Sequence, residues 1–335
     1  MTLEARIDAF VKLGKKLESL SGDEKEMLFE KAQMENPWFT KPNLELSFKG
    51  IEKFLAKDKL SSLVSKYKFK NQSKSIGVAM AGNIPLVGFH DFVCVLISGN
   101  SLVMKPSSQD SVLINFMKDG LIKIEPEFAG KIFIEERLNS VDAIIATGSD
   151  NTARYFEYYF RNKPHIIRKN RSSCAILLGE EPQAELKNLG NDVFTYFGLG
   201  CRNVSKLFVP IGYDFSLLFK SWEGFSSIIH HHKYANNYDY RKSIFLVNKN
   251  DHMDTGFLLV IENENLVSPI SVVYYDYYIN QEDLNEKINS QKEKLQCIVS
   301  AKGWFKGSVP FGQSQFPEVD DYADGVDTLS FLASI

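Results

Sequence analysis

The spacing of apolar positions along this 335-residue chain changes near residue 74. Before it, apolar side chains recur at helical spacing among charges (Ile7, Phe10 and Val11; Met27 and Leu28) and are interrupted by NPWFTKPN. This predicts a helical N-terminal segment. After it, short apolar runs alternate with amphipathic ones. KSIGVAMAG predicts a buried strand, and IPLVGFHDFVCVLISG an apolar helix ending at Gly99–Asn100. NSLVMKP reads as a strand and QDSVLINFMKDG as a helix stopped by its glycine. GKIFIE and VDAIIATGS follow as strands, the second leading into the helix SDNTARYFEYYF. This alternation predicts an α/β protein with an open, mainly parallel sheet flanked by helices.

A second region begins near residue 171. SCAILLG and VSKLFVP predict strands, and between them Leu186, Leu189, Val193, Phe194 and Phe197 form one helical stripe within 185–199. SPISVVYYDYY and LQCIVSA read as further strands, with a polar helix near 281–294. The expected organisation is residues 1–170 for the helical segment and a cofactor-binding domain, and 171–310 for a catalytic domain. The last segment, 311–335, is expected to pack back on the body.

Composition narrows the setting. Hydrophobic residues make up 44% and charged residues 24%, and the net charge of −3 gives no electrostatic reason to expect nucleic acid or an anionic membrane surface. The N-terminus lacks the apolar core of a signal peptide, and the most apolar run is too short to span a membrane and carries His90 and Asp91. The expectation is therefore a cytoplasmic protein without membrane insertion. Four separated cysteines, 94, 174, 201 and 297, suggest neither a zinc site nor a disulfide framework. No GxGxxG, P-loop, GxSxG or HExxH pattern is present. His230-His231-His232 reads as a polar loop rather than a metal site, because consecutive residues do not converge on one ion. By residue type alone Cys201 is a small core thiol as readily as a nucleophile.

Several ordered segments change that balance. IGVAMAGNIPL (76–86), SGNSLVMKPSS (98–108), IIATGSDNTARYF (144–156), GLGCRNVSKLFVP (198–210), ENLVSPISVVYY (264–275) and SVPFGQSQFP (308–317) together resemble the signature of the aldehyde dehydrogenase superfamily. Within it, the short catalytic half and the C-terminal DGVDTLSFL are similar to the acyl-CoA reductase family, the fatty acyl-CoA reductases of bacterial luminescence systems. The resemblance implies an aldehyde dehydrogenase-like α/β fold: an open, mainly parallel Rossmann-like cofactor domain plus a shortened α/β catalytic domain.

It also implies roles. Cys201 matches the nucleophile, and Asn83 matches the asparagine of the oxyanion hole; equally, Asn83 shapes a turn before Pro85. Lys105 matches the lysine on the adenosine ribose. Ser108 stands where NAD-dependent members carry a glutamate, which favours NADPH, with NADH as the alternative. Thr147, Gly148 and Ser149 match the phosphate turn at a helix start, although Ser149 also suits an N-cap. Asn265 replaces a glutamate that holds the nicotinamide ribose. The general-base glutamate of hydrolysing members has no counterpart in PHIIRKNRSSCAILL, which leaves His165 as the nearest titratable group to act as base. A helix over 185–199 would place its C-terminal dipole behind Cys201 and oppose thiolate formation.

The implied activity is an acyl-CoA reductase: Cys201 takes the acyl group from a CoA thioester, CoA leaves, and NADPH reduces the acyl-cysteine to an aldehyde. The alternatives are an NAD(P)-dependent aldehyde dehydrogenase that makes acid, and a non-catalytic partner of an acyl-activating or acyl-carrier protein. Acyl-CoA, a carrier protein and an acyl-activating partner would look alike as donors, and oligomerisation is open. No metal is expected.

Overall fold

The computed structural model describes residues 1–148 and 150–335, which form two compact units. The first comprises Met1–Asn170 and Glu318–Ile335, and the second Arg171–Pro317. Residues 311–317 thus go with the second unit, where the Asp192 carboxylate accepts the Gly312 and Ser314 amides at 2.6 and 3.0 Å.

The first unit opens with four helices, α1 (Leu3–Glu18), α2 (Gly22–Glu35), α3 (Lys41–Phe54) and α4 (Lys57–Ser65). Thr2 caps α1 through the Ala5 amide, and Ser21 with Glu24 forms a capping box on α2. The apolar stripe Ile7, Phe10, Leu13 and Leu17 is buried in the main core. Then follow β1 (Ser75–Ala79), α5 (Phe89–Ile97), β2 (Ser101–Lys105), α6 (Ser111–Ile124), β3 (Ile132–Ile134), β4 (Ala143–Thr147), α7 (Asp150–Phe160) and β5 (His165–Arg168). All five strands are parallel in the order β3-β2-β1-β4-β5. The winding reverses at β1, and a crevice beyond the carboxyl ends of such strands is where doubly wound sheets bind ligands.

Three local differences from the pattern have clear causes. Only Phe89–Ile97 of the apolar run is helical, because the preceding residues form a turn with Leu86 left-handed (φ 59°). Gly120 does not stop its helix; it lies inside α6, where a Cβ would come within 3.0 Å of Leu13 in α1. The helix ends instead before Pro126. Finally, β5 is a strand amid basic residues, an edge position whose exposed His165 needs no apolar alternation.

The second unit contains β6 (Ser172–Ile176), α8 (Gln183–Phe194), β7 (Val204–Pro210), α9 (Ser216–Trp222), α10 (His232–Asn248), β8 (Met253–Asp254), β9 (Leu259–Glu262), β10 (Val272–Tyr278), α11 (Gln281–Ser290), β11 (Leu295–Ser300) and β12 (Val309–Pro310). Its sheet runs β12-β11-β6-β7-β10-β9-β8 and is parallel except for the β8–β9 pair. The three consecutive histidines do not form a loop. His230 ends a 3₁₀ turn, His231 is the N-cap of α10 and His232 its first residue. The His231 ring packs on Phe197 at 4.4 Å between centroids. Among the described residues, no group of His, Cys, Asp and Glu side chains is placed to hold a metal ion, and no helix is long and apolar enough to cross a membrane.

The C-terminal helix Thr328–Ser334 is tied into the first unit by a buried ion pair. Arg168 of β5 meets both oxygens of Asp91 in α5 and donates to Thr328 Oγ1 at 2.9 Å. Asp91 holds the guanidinium charged despite burial: desolvation lowers the Arg168 pKa, yet the Asp91 charge and hydrogen bond leave it raised overall. Arg168→Met should destabilise the protein by about 3–5 kcal/mol in urea denaturation, because Asp91 is left as a buried charge without its cation. Arg168→Met with Asp91→Leu should recover much of that loss.

Candidate active site

The carboxyl edge of the first sheet gathers five of the residues singled out from sequence. β1 delivers the turn Gly82–Gly88, which carries Asn83 with its side chain exposed. The turn is tethered at three points: Asn36 donates to Gly82 O at 3.2 Å, Ser47 to Pro85 O at 2.9 Å, and the Leu86 amide donates to Asp110 Oδ2 at 2.7 Å. Lys105 ends β2 opposite Ala79 of β1, is exposed, and its carbonyl accepts the Met80 amide at 3.1 Å. Ser108 follows in an exposed turn. That turn and the Asn83 turn are closely packed, since a Cβ on Gly82 would lie 2.5 Å from Ser107 Oγ.

Thr147 ends β4 and is half-buried. Gly148 differs from the expected phosphate cradle: its amide is occupied by the Arg168 carbonyl at 3.2 Å. Its glycine identity reflects sterics, because a Cβ would sit 2.9 Å from Thr152 in α7. Ser149 lies outside the described residues.

His165 does not join this edge. It begins β5 in register with Ile144, whereas Thr147 pairs with Arg168 at the far end of the same ladder. Three residues of strand, roughly 10 Å, separate the two ends. His165 is exposed, and its Nδ1 lies 2.8 Å from the Lys163 carbonyl. His165 and Thr147 thus stand at opposite ends of the β4–β5 ladder.

In the second unit, Cys201 sits in a turn between α8 and β7 and is half-buried. The helix ends at Phe194 rather than running to residue 199, and Tyr196 (φ 52°), Phe197 (φ 57°) and Gly198 (φ 77°) turn the chain through left-handed backbone. A helix dipole acts mainly within its last turn, so the objection to thiolate formation raised by a longer helix falls away. Asn203, 2% exposed, holds this turn. Its Nδ2 donates to Thr195 O at 2.7 Å and Asp192 O at 3.1 Å, while its Oδ1 accepts the Gly200 amide at 2.8 Å. These bonds satisfy carbonyls left open at the end of α8. Ser173 of β6 donates to the Cys201 carbonyl at 3.0 Å. By contrast Cys94 and Cys174 are buried, and burial pushes both thiols upward in pKa. Cys297 is half-buried within β11.

Asn265 is exposed in a loop of the same unit. Lys206 Nζ bonds the Asn263 carbonyl, Ser205 Oγ donates to Leu266 O at 2.7 Å, and Asn263 Oδ1 accepts the Asn265 amide at 2.9 Å. Lys206 is fully buried, 3.8 Å from Asp276. A small, partly open cleft lies beside the Cys201 turn, lined by Phe197, Gly198, Ser205, Tyr234 and Ser271. Asn36, Ser47, Asp110, Asn203 and Lys206 were not foreseen from sequence. A polar residue that bonds a distant backbone atom leaves no local pattern.

The arrangement defines a protein of two α/β units, one an open doubly wound parallel sheet with polar residues along its carboxyl edge. No family model and no curated protein matches the chain in sequence. Solved structures do match. An aldehyde dehydrogenase from Bacillus cereus in complex with NAD+ superposes with a TM-score of 0.63 at 13% identity, covering 90% of this chain and 72% of that one. An aldehyde dehydrogenase from Mycobacterium tuberculosis complexed with NAD+ gives 0.65 at 14% identity, covering 90% and 73%. An aldehyde dehydrogenase C mutant from Pseudomonas syringae, in complex with NAD+ and octanal, gives 0.64 at 12% identity, covering 90% and 72%. The fold of this chain is aldehyde dehydrogenase-like, on a shortened plan.

Burial brings the Lys206 pKa down to about 8, the Asp276 charge opposing the shift. Because the unfolded chain holds this proton up to about pH 10.4, the group's contribution to stability grows between pH 8 and 10.4 and is lost as pH falls through 8. Urea denaturation at pH 7 and pH 10 should show wild type gaining on Lys206→Met at the higher pH, by on the order of 1–3 kcal/mol.

Proposed function

We propose that the protein is an NADPH-dependent acyl-CoA reductase in which Cys201 is the acyl acceptor. The observation that carries this reading is the turn around Cys201. It presents a half-buried cysteine just after the left-handed residues Tyr196, Phe197 and Gly198, in a turn anchored by Asn203, whereas Cys94 and Cys174 are sealed in the core. Such strain concentrates where a group must be presented for chemistry.

The residues fit a nicotinamide cofactor at the carboxyl edge of the first sheet. Lys105 and Ser108 are exposed there, and Thr147 ends the adjoining strand β4. Lys105 would hold the adenosine ribose, and the Ser108 hydroxyl, in place of a carboxylate, would accommodate a 2′-phosphate without charge repulsion. Thr147 would contact the pyrophosphate. When bound, the reduced cofactor supplies the hydride.

The Cys201 thiolate attacks the thioester carbonyl, forming a C–S bond as the bond to the CoA sulfur breaks. CoA departs as thiolate and takes up a proton. By the resemblance, Asn83 would donate to the oxygen on which negative charge develops. Reduction of the acyl-cysteine and expulsion of the Cys201 thiolate leave the aldehyde. No carboxylate occurs between Arg161 and Gly179, so β5 and β6 offer no carboxylate to activate water. This supports the reductive reading over acid formation.

Incubation with acyl-CoAs of graded chain length should add one acyl mass to wild type and none to Cys201→Ala, read by intact-mass spectrometry. Acyl-CoA-dependent NADPH oxidation should disappear in Cys201→Ala and fall about 10²–10³-fold in Asn83→Ala. Unchanged turnover in Cys201→Ala, or carboxylic acid as the product from aldehyde and NAD, would overturn the assignment.

A further inference from the structure

We propose that Asp110 is a positioning residue, whose buried carboxyl locks the Asn83-bearing turn to the Lys105–Ser108 turn. The proposal gives the two turns assigned above a shared mechanical support, and its catalytic consequence rests on that reading.

Asp110 stands at the N-cap of α6, where an aspartate ordinarily accepts an amide of the helix's first turn. Here it makes no such bond. Its side chain turns back instead, and Oδ2 accepts the Leu86 amide at 2.7 Å across 24 residues of sequence. Glu35, at the end of α2, takes over the capping: its carboxylate accepts the Val112 amide at 3.1 Å and the Ser111 hydroxyl. The residue best placed to cap α6 is thus diverted, and a carboxylate from another helix replaces it.

What the diversion holds is a strained position. Leu86 is buried and left-handed at φ 59°, a conformation that disfavours any side chain with a Cβ. Asp110 also binds the second turn through its own backbone, its amide donating to Ser107 O at 3.2 Å. One residue therefore grips both turns, at the place where Gly82 lacks room for a Cβ against Ser107.

The carboxyl is 4% exposed, and its Oδ1 has no hydrogen-bond partner. Glu35 is the charged group that bears on it. Burial chiefly, and the Glu35 charge, push its pKa up to about 8, while the Leu86 amide opposes the shift. The folded protein therefore keeps a proton here that the unfolded chain releases near pH 4. This group's contribution to stability declines as pH rises from about 4 to 8 and is flat above.

The test compares wild type with Asp110→Asn, which keeps an oxygen acceptor but cannot ionise, and Asp110→Ala, which has none. Amide hydrogen exchange read by mass spectrometry should show protection of residues 82–88 reduced about tenfold or more in Asp110→Ala and restored in Asp110→Asn. NADPH oxidation should show kcat reduced about tenfold in Asp110→Ala, with Asp110→Asn recovering most of it. Unaltered protection in Asp110→Ala, or Asp110→Asn behaving like Asp110→Ala in exchange, would overturn the proposal. So would a loss of protection spread evenly over the first unit. If wild type oxidises no NADPH with any acyl-CoA, the functional reading fails alone, because the exchange measurements need no substrate.

Discussion

The contact on which the first unit most depends is the buried pair between Arg168 and Asp91. Its parts come from distant places: a strand at the sheet edge, a helix beneath the sheet, and through Thr328 the last helix of the chain. Two ions removed from water are stable only where each compensates the other, and the Arg168 guanidinium does this by meeting both Asp91 oxygens through its two terminal nitrogens. The pair therefore selects one arrangement of these elements. The Arg168 backbone adds a further consequence, because its carbonyl holds the Gly148 amide in the turn after β4. The edge strand, the C-terminal helix and that turn are organised by one residue.

The two turns that bear Asn83 and Cys201 follow a common physical rule. Each contains non-glycine residues in left-handed backbone, Leu86 in one and Tyr196 with Phe197 in the other. Such residues cost roughly 1–2 kcal/mol each. Each turn is held by a deeply buried polar side chain, Asp110 or Asn203, bonded to its backbone. A hydrogen bond contributes about 0.5–1.5 kcal/mol net, and several bonds in one turn are enough to offset the strain. The loop with Asn265 is anchored on the same principle by Lys206 and Ser205.

Most of the architecture was legible along the chain. Apolar runs such as AIIAT, buried on both faces, and SLVMK, buried at Leu102 and Met104, announce strands, and their alternation with amphipathic helices predicts a parallel sheet. The motif segments located Asn83, Lys105 and Thr147 after three of those strands. The position of His165 at the opposite end of β5 from Arg168 was not legible from nearness in sequence. A strand has two ends, and only pairing register reveals which end a residue occupies. The early end of α8 was hidden as well, since the apolar stripe continues through Phe197 while the backbone turns left-handed before it.

The sequence by itself determined the fold class, the order of the main strands and helices, and the set of chemically interesting side chains. Those properties follow from periodicity and residue type, which are local. Tertiary structure alone decided which of those side chains share an edge, where Gly148 spends its amide, and which buried polar groups support the turns. Asp110 illustrates the division. Its place before α6 marks it as a helix cap, and only the folded chain brings the Leu86 amide close enough to claim its carboxylate instead.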